Sequence, residues 1–182
     1  MNPLLKLIPD LASYLDSVKE SMIHDLEFFI NRESPNPKLR MLSFIYSYED
    51  FKTVVYSIDN QGETITDVVG LPIKDYDDLY AMKNYGRFIP YEIEDKESDI
   101  LDKYESFDNE DKMNEFWNFS EEYRNKKRDF YKNWFMECWR MARLNTHSSI
   151  LTSFAMHDSS GGFDLTSGKY MTDQEIDNFF EN

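Results

Sequence analysis

Cysteine is nearly missing from this chain: Cys138 is the only one. That excludes an internal disulfide and gives no sign of an oxidising compartment. Long apolar runs are missing too. No stretch approaches the roughly 18 residues of a spanning helix. The opening residues, MNPLLKLIPDLASYL, have no basic region ahead of the apolar ones and are interrupted by Pro9 and Asp10. Neither a membrane span nor a signal peptide is expected, and the cytoplasm is the expected compartment. Positive charge is scarce: 20 Lys and Arg face 35 Asp and Glu, a formal net charge of −15. Such a field repels DNA, RNA and anionic membrane and attracts basic partners. Catalytic fingerprints are also absent. Ser159-Ser160-Gly161-Gly162 lacks the lysine of a phosphate-binding GxxxxGK(S/T) loop, and no GxSxG, HExxH or CxxC occurs. No cofactor and no metal is expected.

Aromatic residues are abundant, at 16% of the chain, and this argues against disorder despite the charge. A chain of 182 residues is expected to form one domain, 1–182, and to bury about 70% of its unfolded surface. The residues around which it is organised run from Asp111 to Leu144. This stretch has no Pro or Gly and holds all three Trp residues. Phe130, Trp134, Cys138 and Met141 form one row at helical spacing, and Tyr131, Phe135, Trp139 and Ala142 form a second beside it. Two adjacent rows predict a long aromatic helix that anchors the core, with a break near Ser120 as an alternative. Cys138, between Trp134 and Trp139, reads as a small buried apolar residue.

Leu11, Tyr14, Leu15, Val18, Met22, Leu26, Phe29 and Ile30 predict an amphipathic helix over 10 to 31, with Asp10 as N-cap and the Ser34-Pro-Asn-Pro37 stretch as its stop. Strands are predicted over 39 to 46, 51 to 58 and 63 to 69, joined by short turns as an antiparallel meander. Gly70, Pro72, Gly86 and Pro90 break the next stretch, with one short helix over Asp75 to Met82. A fourth strand is predicted over 148 to 156 and a short fifth over 163 to 165. Thr172 and Glu175 form a capping box ahead of a closing helix. The fold expected is therefore α+β: an antiparallel sheet of four to five strands packed against the long aromatic helix and the N-terminal helix.

Residues 92 to 111 hold ten acids against Lys96 and Lys103, more than half of the whole imbalance. Ile100, Leu101, Tyr104 and Phe107 keep a helical apolar stripe among them, so a short acidic helix is predicted there. Glu97, Asp99, Asp102 and Glu105 represent it as the candidate contact surface for a partner. The basic run Arg124-Asn-Lys-Lys-Arg128 is expected to pair with nearby acids such as Glu121, Glu122 and Asp129. One other constellation has a chemical look: His157, Asp158 and Asp164, with His147 upstream. His and Asp at a strand end could bind a metal or exchange protons. The simpler reading is that Asp158 bonds turn amides and His157 satisfies a local carbonyl.

Trp134-Phe-x-x-Cys138-Trp139, a strand ending in His157-Asp158, and Phe163-Asp164-Leu165 together resemble small acidic bacterial proteins of uncharacterised families that are found beside secreted toxins and taken to be immunity proteins. The resemblance is confined to the C-terminal third. It implies a non-enzymatic cytoplasmic protein that binds and blocks one cognate toxin, and it carries over no site residues. The function expected is thus a binding protein that neutralises a basic protein partner, not nucleic acid or membrane, through an acidic surface. Two alternatives stand beside it: a metal-dependent or acid/base enzyme centred on His157 and Asp158, and a nucleic-acid mimic that blocks a DNA-binding protein.

Overall fold

A computed structural model describes residues 2–33, 35–65, 69–71, 89–105, 110–146 and 150–181. The fold is α+β. A 3-10 turn over Leu4–Leu7 runs into α1 (Ile8–Glu33); then come β1 (Met41–Tyr46), β2 (Thr53–Ile58) and β3 (Val69–Leu71). α2 (Tyr91–Glu105), α3 (Glu110–Thr146), β4 (Leu151–Met156), β5 (Gly162–Phe163), β6 (Tyr170–Met171) and α4 (Asp173–Glu181) complete it. The short helix expected over Asp75 to Met82 lies outside the described residues.

The chain's contacts form two compact units. The first comprises residues 1–18 and 89–134. Leu4, Leu7 and Tyr123 are buried together there, with Leu5, Ile8, Ile100 and Leu101 packed against them. Asn2 ties the first residues down: its Nδ2 donates to the Phe119 carbonyl at 2.8 Å and to Glu122 at 3.0 Å, and its Oδ1 accepts from the Leu4 amide at 3.1 Å. Trp134 donates its indole N–H to the Leu15 carbonyl at 3.1 Å. The expected N-cap at Asp10 is not formed. Pro9 needs no intrahelical donor in a first turn, so the helix starts earlier, at Ile8, and Asp10 instead accepts an ion pair from Lys96 at 2.6 Å.

The second unit, residues 19–88 and 135–182, holds the sheet in the order β3-β2-β1-β4-β5-β6. β1 and β2 pair antiparallel, with Phe44 opposite Val55. β1 and β4 pair in parallel, with Phe44 opposite Phe154. The sheet is therefore mixed and six-stranded, which corrects the expected antiparallel sheet of four to five. The physical reason is connectivity: a hairpin fixes β2 on one edge of β1, and the crossover through α2 and α3 delivers β4 to the other edge in the same direction. β6 escaped notice because a two-residue ladder shows no alternation.

One face of this sheet is buried: Leu42, Phe44 and Tyr46 on β1, Thr53, Val55 and Ser57 on β2, Thr152 and Phe154 on β4. The C-terminal part of α3 packs on it. Phe44 meets the edges of Phe135 and Trp139, both at 5.5 Å between centroids, and Phe135 stacks on Phe154 at 4.6 Å. The row Tyr131, Phe135, Trp139 and Ala142 is fully buried, as its spacing predicts. The neighbouring row is not uniformly so, since Met141 at its end is exposed. α3 is continuous through Ser120, without the alternative break. The end of α1 closes the same face, with buried Glu33 accepting from Ser57 Oγ at 3.0 Å and from Arg32 Nε at 2.7 Å. Among the described residues, no helix is long and apolar enough to cross a membrane.

Candidate functional site

α2 is where the acidic stretch takes shape. Ile93 is buried, Ile100 and Leu101 are half-buried, and the steps between them set the inward face. Glu92, Asp95, Asp99 and Asp102 are all exposed. They follow one another at steps of three, four and three residues, so they share a single outer face. Tyr91, also exposed, begins the same row.

Glu97 belongs to the other side. Its Oε2 receives Lys127 Nζ at 3.0 Å and Tyr123 Oη at 3.1 Å. The Lys127 side chain is 2% exposed and that of Glu97 17%. Lys127 Nζ also lies 5.7 Å from the centre of the Tyr123 ring, within cation–π range. Of the four residues read from sequence as the contact surface, Asp99 and Asp102 are thus brought together on the outer face and Glu97 is turned inward to hold α2 against α3. Glu105 ends the α2 backbone, and its side chain lies outside the described residues. The basic run behaves in part as expected. Lys126 pairs with Glu122 at 3.0 Å, whereas Lys127 is buried rather than surface-paired. Its position was the missed signal: Tyr123, Lys127 and Tyr131 sit four apart on one stripe.

α3 carries a second exposed feature that its aromatic content concealed. Trp117 is 55% exposed and Met113, one turn before it, 45%, while Trp134 and Trp139 are buried. Large exposed apolar side chains at i and i+4 make a small apolar ridge on this helix.

In the His157 loop, His157 and Asp158 lie side by side, and Asp164 is held by other partners. The His157 amide donates to the Tyr46 carbonyl at 2.8 Å, extending the β1–β4 ladder. Its Nδ1 lies 2.9 Å from Asp158, with the two side chains 70% and 87% exposed. Asp158 sits at φ 63°, in the left-handed region that Asp tolerates in turns. Asp164 is engaged elsewhere. It accepts from Thr152 Oγ1 at 2.9 Å, from the Thr166 and Ser167 amides at 3.1 and 3.0 Å, and from Ser167 Oγ at 2.6 Å. Burial pushes its pKa up, but these hydrogen bonds, led by Ser167, outweigh it and hold the carboxyl below its ordinary range. His147 lies outside the described residues. Among the described residues, no group of three His, Cys, Asp or Glu is arranged to hold a metal ion.

Two further expectations from sequence stand. Cys138 is fully buried, and burial pushes its thiol up to about 12, far from a nucleophile's range. The capping box is formed: the Glu175 amide donates to Thr172 Oγ1 at 3.2 Å and the Thr172 amide to Glu175 Oε2 at 2.9 Å. The Thr172 amide and then Lys169 hold the Glu175 carboxyl at about 2. Comparison with known protein families, with characterised proteins and with solved structures gives no match.

Proposed function

We propose that this protein neutralises a basic protein partner by binding it, with the outer face of α2 as the charged part of the contact. The observation that carries the reading is the segregation within α2. Glu97 is spent on an internal ion pair, while Glu92, Asp95, Asp99 and Asp102 face solvent in one row. A solvated helix needs no such row beyond solubility, but a row of one sign steers a basic partner and fixes its register. The exposed Trp117 and Met113 supply the residue types that anchor protein interfaces when buried by a partner. The partner class is a basic protein, a toxin being the kind that the sequence resemblance implies.

A nucleic-acid mimic is the second reading. The outer acids of α2 recur about 4.5 to 6 Å apart along the helix axis, a run of negative charges on one line. Affinity capture from a native lysate at low and at high salt, with mass spectrometry of what is retained, tests both. One stoichiometric basic protein, released at high salt, supports the first reading. Release of that protein by added duplex DNA moves the assignment to the mimic. Failure to retain any basic protein at low salt removes both.

A further inference from the structure

One stripe on the first half of α3 has its charges sorted along the helix. Glu110, Trp117 and Arg124 are all exposed. They follow one another at seven residues, two turns each, and drift by only about 20° per step, so they stand in one line. Met113, also exposed, lies beside Trp117 one turn earlier. From its N-terminal end the line reads acid, apolar, base. Trp117 has a firm base, since its ring centre lies 5.5 Å from that of buried Phe116.

Two features of this stripe ask for an occupant. Trp is among the side chains that most often anchor protein interfaces, and this one is 55% exposed. Glu110 and Arg124 have no ion pair among the described residues, although Arg124 belongs to a chain with 35 acids. They cannot answer each other within one chain, because the helix between them holds them about 21 Å apart.

A second copy of the helix, laid antiparallel, does answer them. With a two-fold axis at Trp117 the two indoles meet at the centre. Met113 of each copy falls opposite Glu121 of the other, and Glu110 falls opposite Arg124 at both ends. The order acid, apolar, base is its own complement under that operation, whereas a parallel alignment sets acid on acid and base on base. We propose that this chain forms a two-fold dimer through the Glu110–Arg124 stripe of α3, with Trp117 on the axis. The net charge of −15 opposes the pairing at long range, but at about 0.15 M salt fields beyond about 8 Å are screened. The contact is one helix face wide, so a weak, reversible dimer is expected. It goes beyond the basic-partner reading and uses none of the α2 row; a partner that also takes Trp117 must part the copies.

The test is sedimentation velocity of the full chain over rising protein concentration at about 0.15 M salt, with each variant checked for an unchanged urea midpoint. Wild type should pass from monomer to dimer. W117A, E110R and R124E should each weaken the dimer about tenfold or more, the last two by setting like charges opposite each other. The double variant E110R/R124E exchanges the two ends and should restore the dimer. E92K/D95K/D99K/D102K, on the outer row of α2, should leave it no weaker. If W117A lowers the urea midpoint, the charge exchange decides alone. A wild type that stays monomeric at its highest soluble concentration would overturn the proposal. So would a dimer that W117A, E110R and R124E leave unchanged, or a double variant as weak as the single ones. Loss of the dimer in the α2 variant would also overturn it, by moving the contact to that row.

Discussion

Replacing Glu97 by alanine tests the division of labour within α2. The substitution removes the carboxylate that faces Lys127, whose side chain is 2% exposed, and the acceptor of the Tyr123 hydroxyl. Breaking a buried pair from one side costs about 3–5 kcal/mol. Glu97 keeps some contact with water at 17% exposure, so the lower end, about 3 kcal/mol, is expected. Against a total stability of about 5–15 kcal/mol this is a large fraction. D99A and D102A, on the outer row, should each stay within about 0.5 kcal/mol of wild type. Urea unfolding followed by circular dichroism measures all three. The double variant E97Q/K127M, which replaces the pair by uncharged groups of similar size, should recover most of the loss. A cost below about 1 kcal/mol for E97A, equal to those of D99A and D102A, would refute the inward assignment of Glu97.

Three further outcomes follow from the same geometry. Phe44 touches Phe135 and Trp139 from the centre of the sheet, so F44A should cost about 3–5 kcal/mol by urea unfolding; a cost under 1 kcal/mol would contradict the packing. The folded-state pKa of Asp164 lies below its unfolded value of about 3.9, so its contribution is fully present above that pH and is lost as pH falls through the lower folded value. D164N should therefore be less stable than wild type at neutral pH, with the gap closing on acidification, and a gap independent of pH would contradict this. Cys138, buried and with its thiol at about 12, should react with iodoacetamide at pH 8 only at the rate of unfolding. Labelling at the rate of a free thiol would show that the helix face around it is open.

The periodic parts of this fold could be read directly. α1, the second half of α3 and the β1–β2 hairpin declare themselves by spacing, and the Thr172–Glu175 cap by residue type at fixed offset. The parallel pairing of β4 with β1 could not be read, because nothing in either strand names its partner across a hundred residues of chain. The acidic site was half legible. Charge density marks residues 92 to 111, but density does not tell an outward acid from an inward one. Position on the stripe does: Glu97 follows Ile93 by four and Lys127 follows Tyr123 by four, so both fall among apolar residues of their own helices. Treating charged residues as outward by default hid that pair. The exposure of Trp117 was hidden by the opposite default, that an aromatic on an aromatic helix belongs to the core.

The most direct test of the central claim is the association rate of the captured basic partner, measured from about 50 to 300 mM salt for wild type and for the variant E92K/D95K/D99K/D102K. The account predicts that wild-type association slows steeply with salt. The variant should associate about tenfold or more slowly at low salt and lose most of that salt dependence, with its fold intact. Equal rates and equal salt slopes for the two proteins would contradict it and leave the row on α2 as a solvated face.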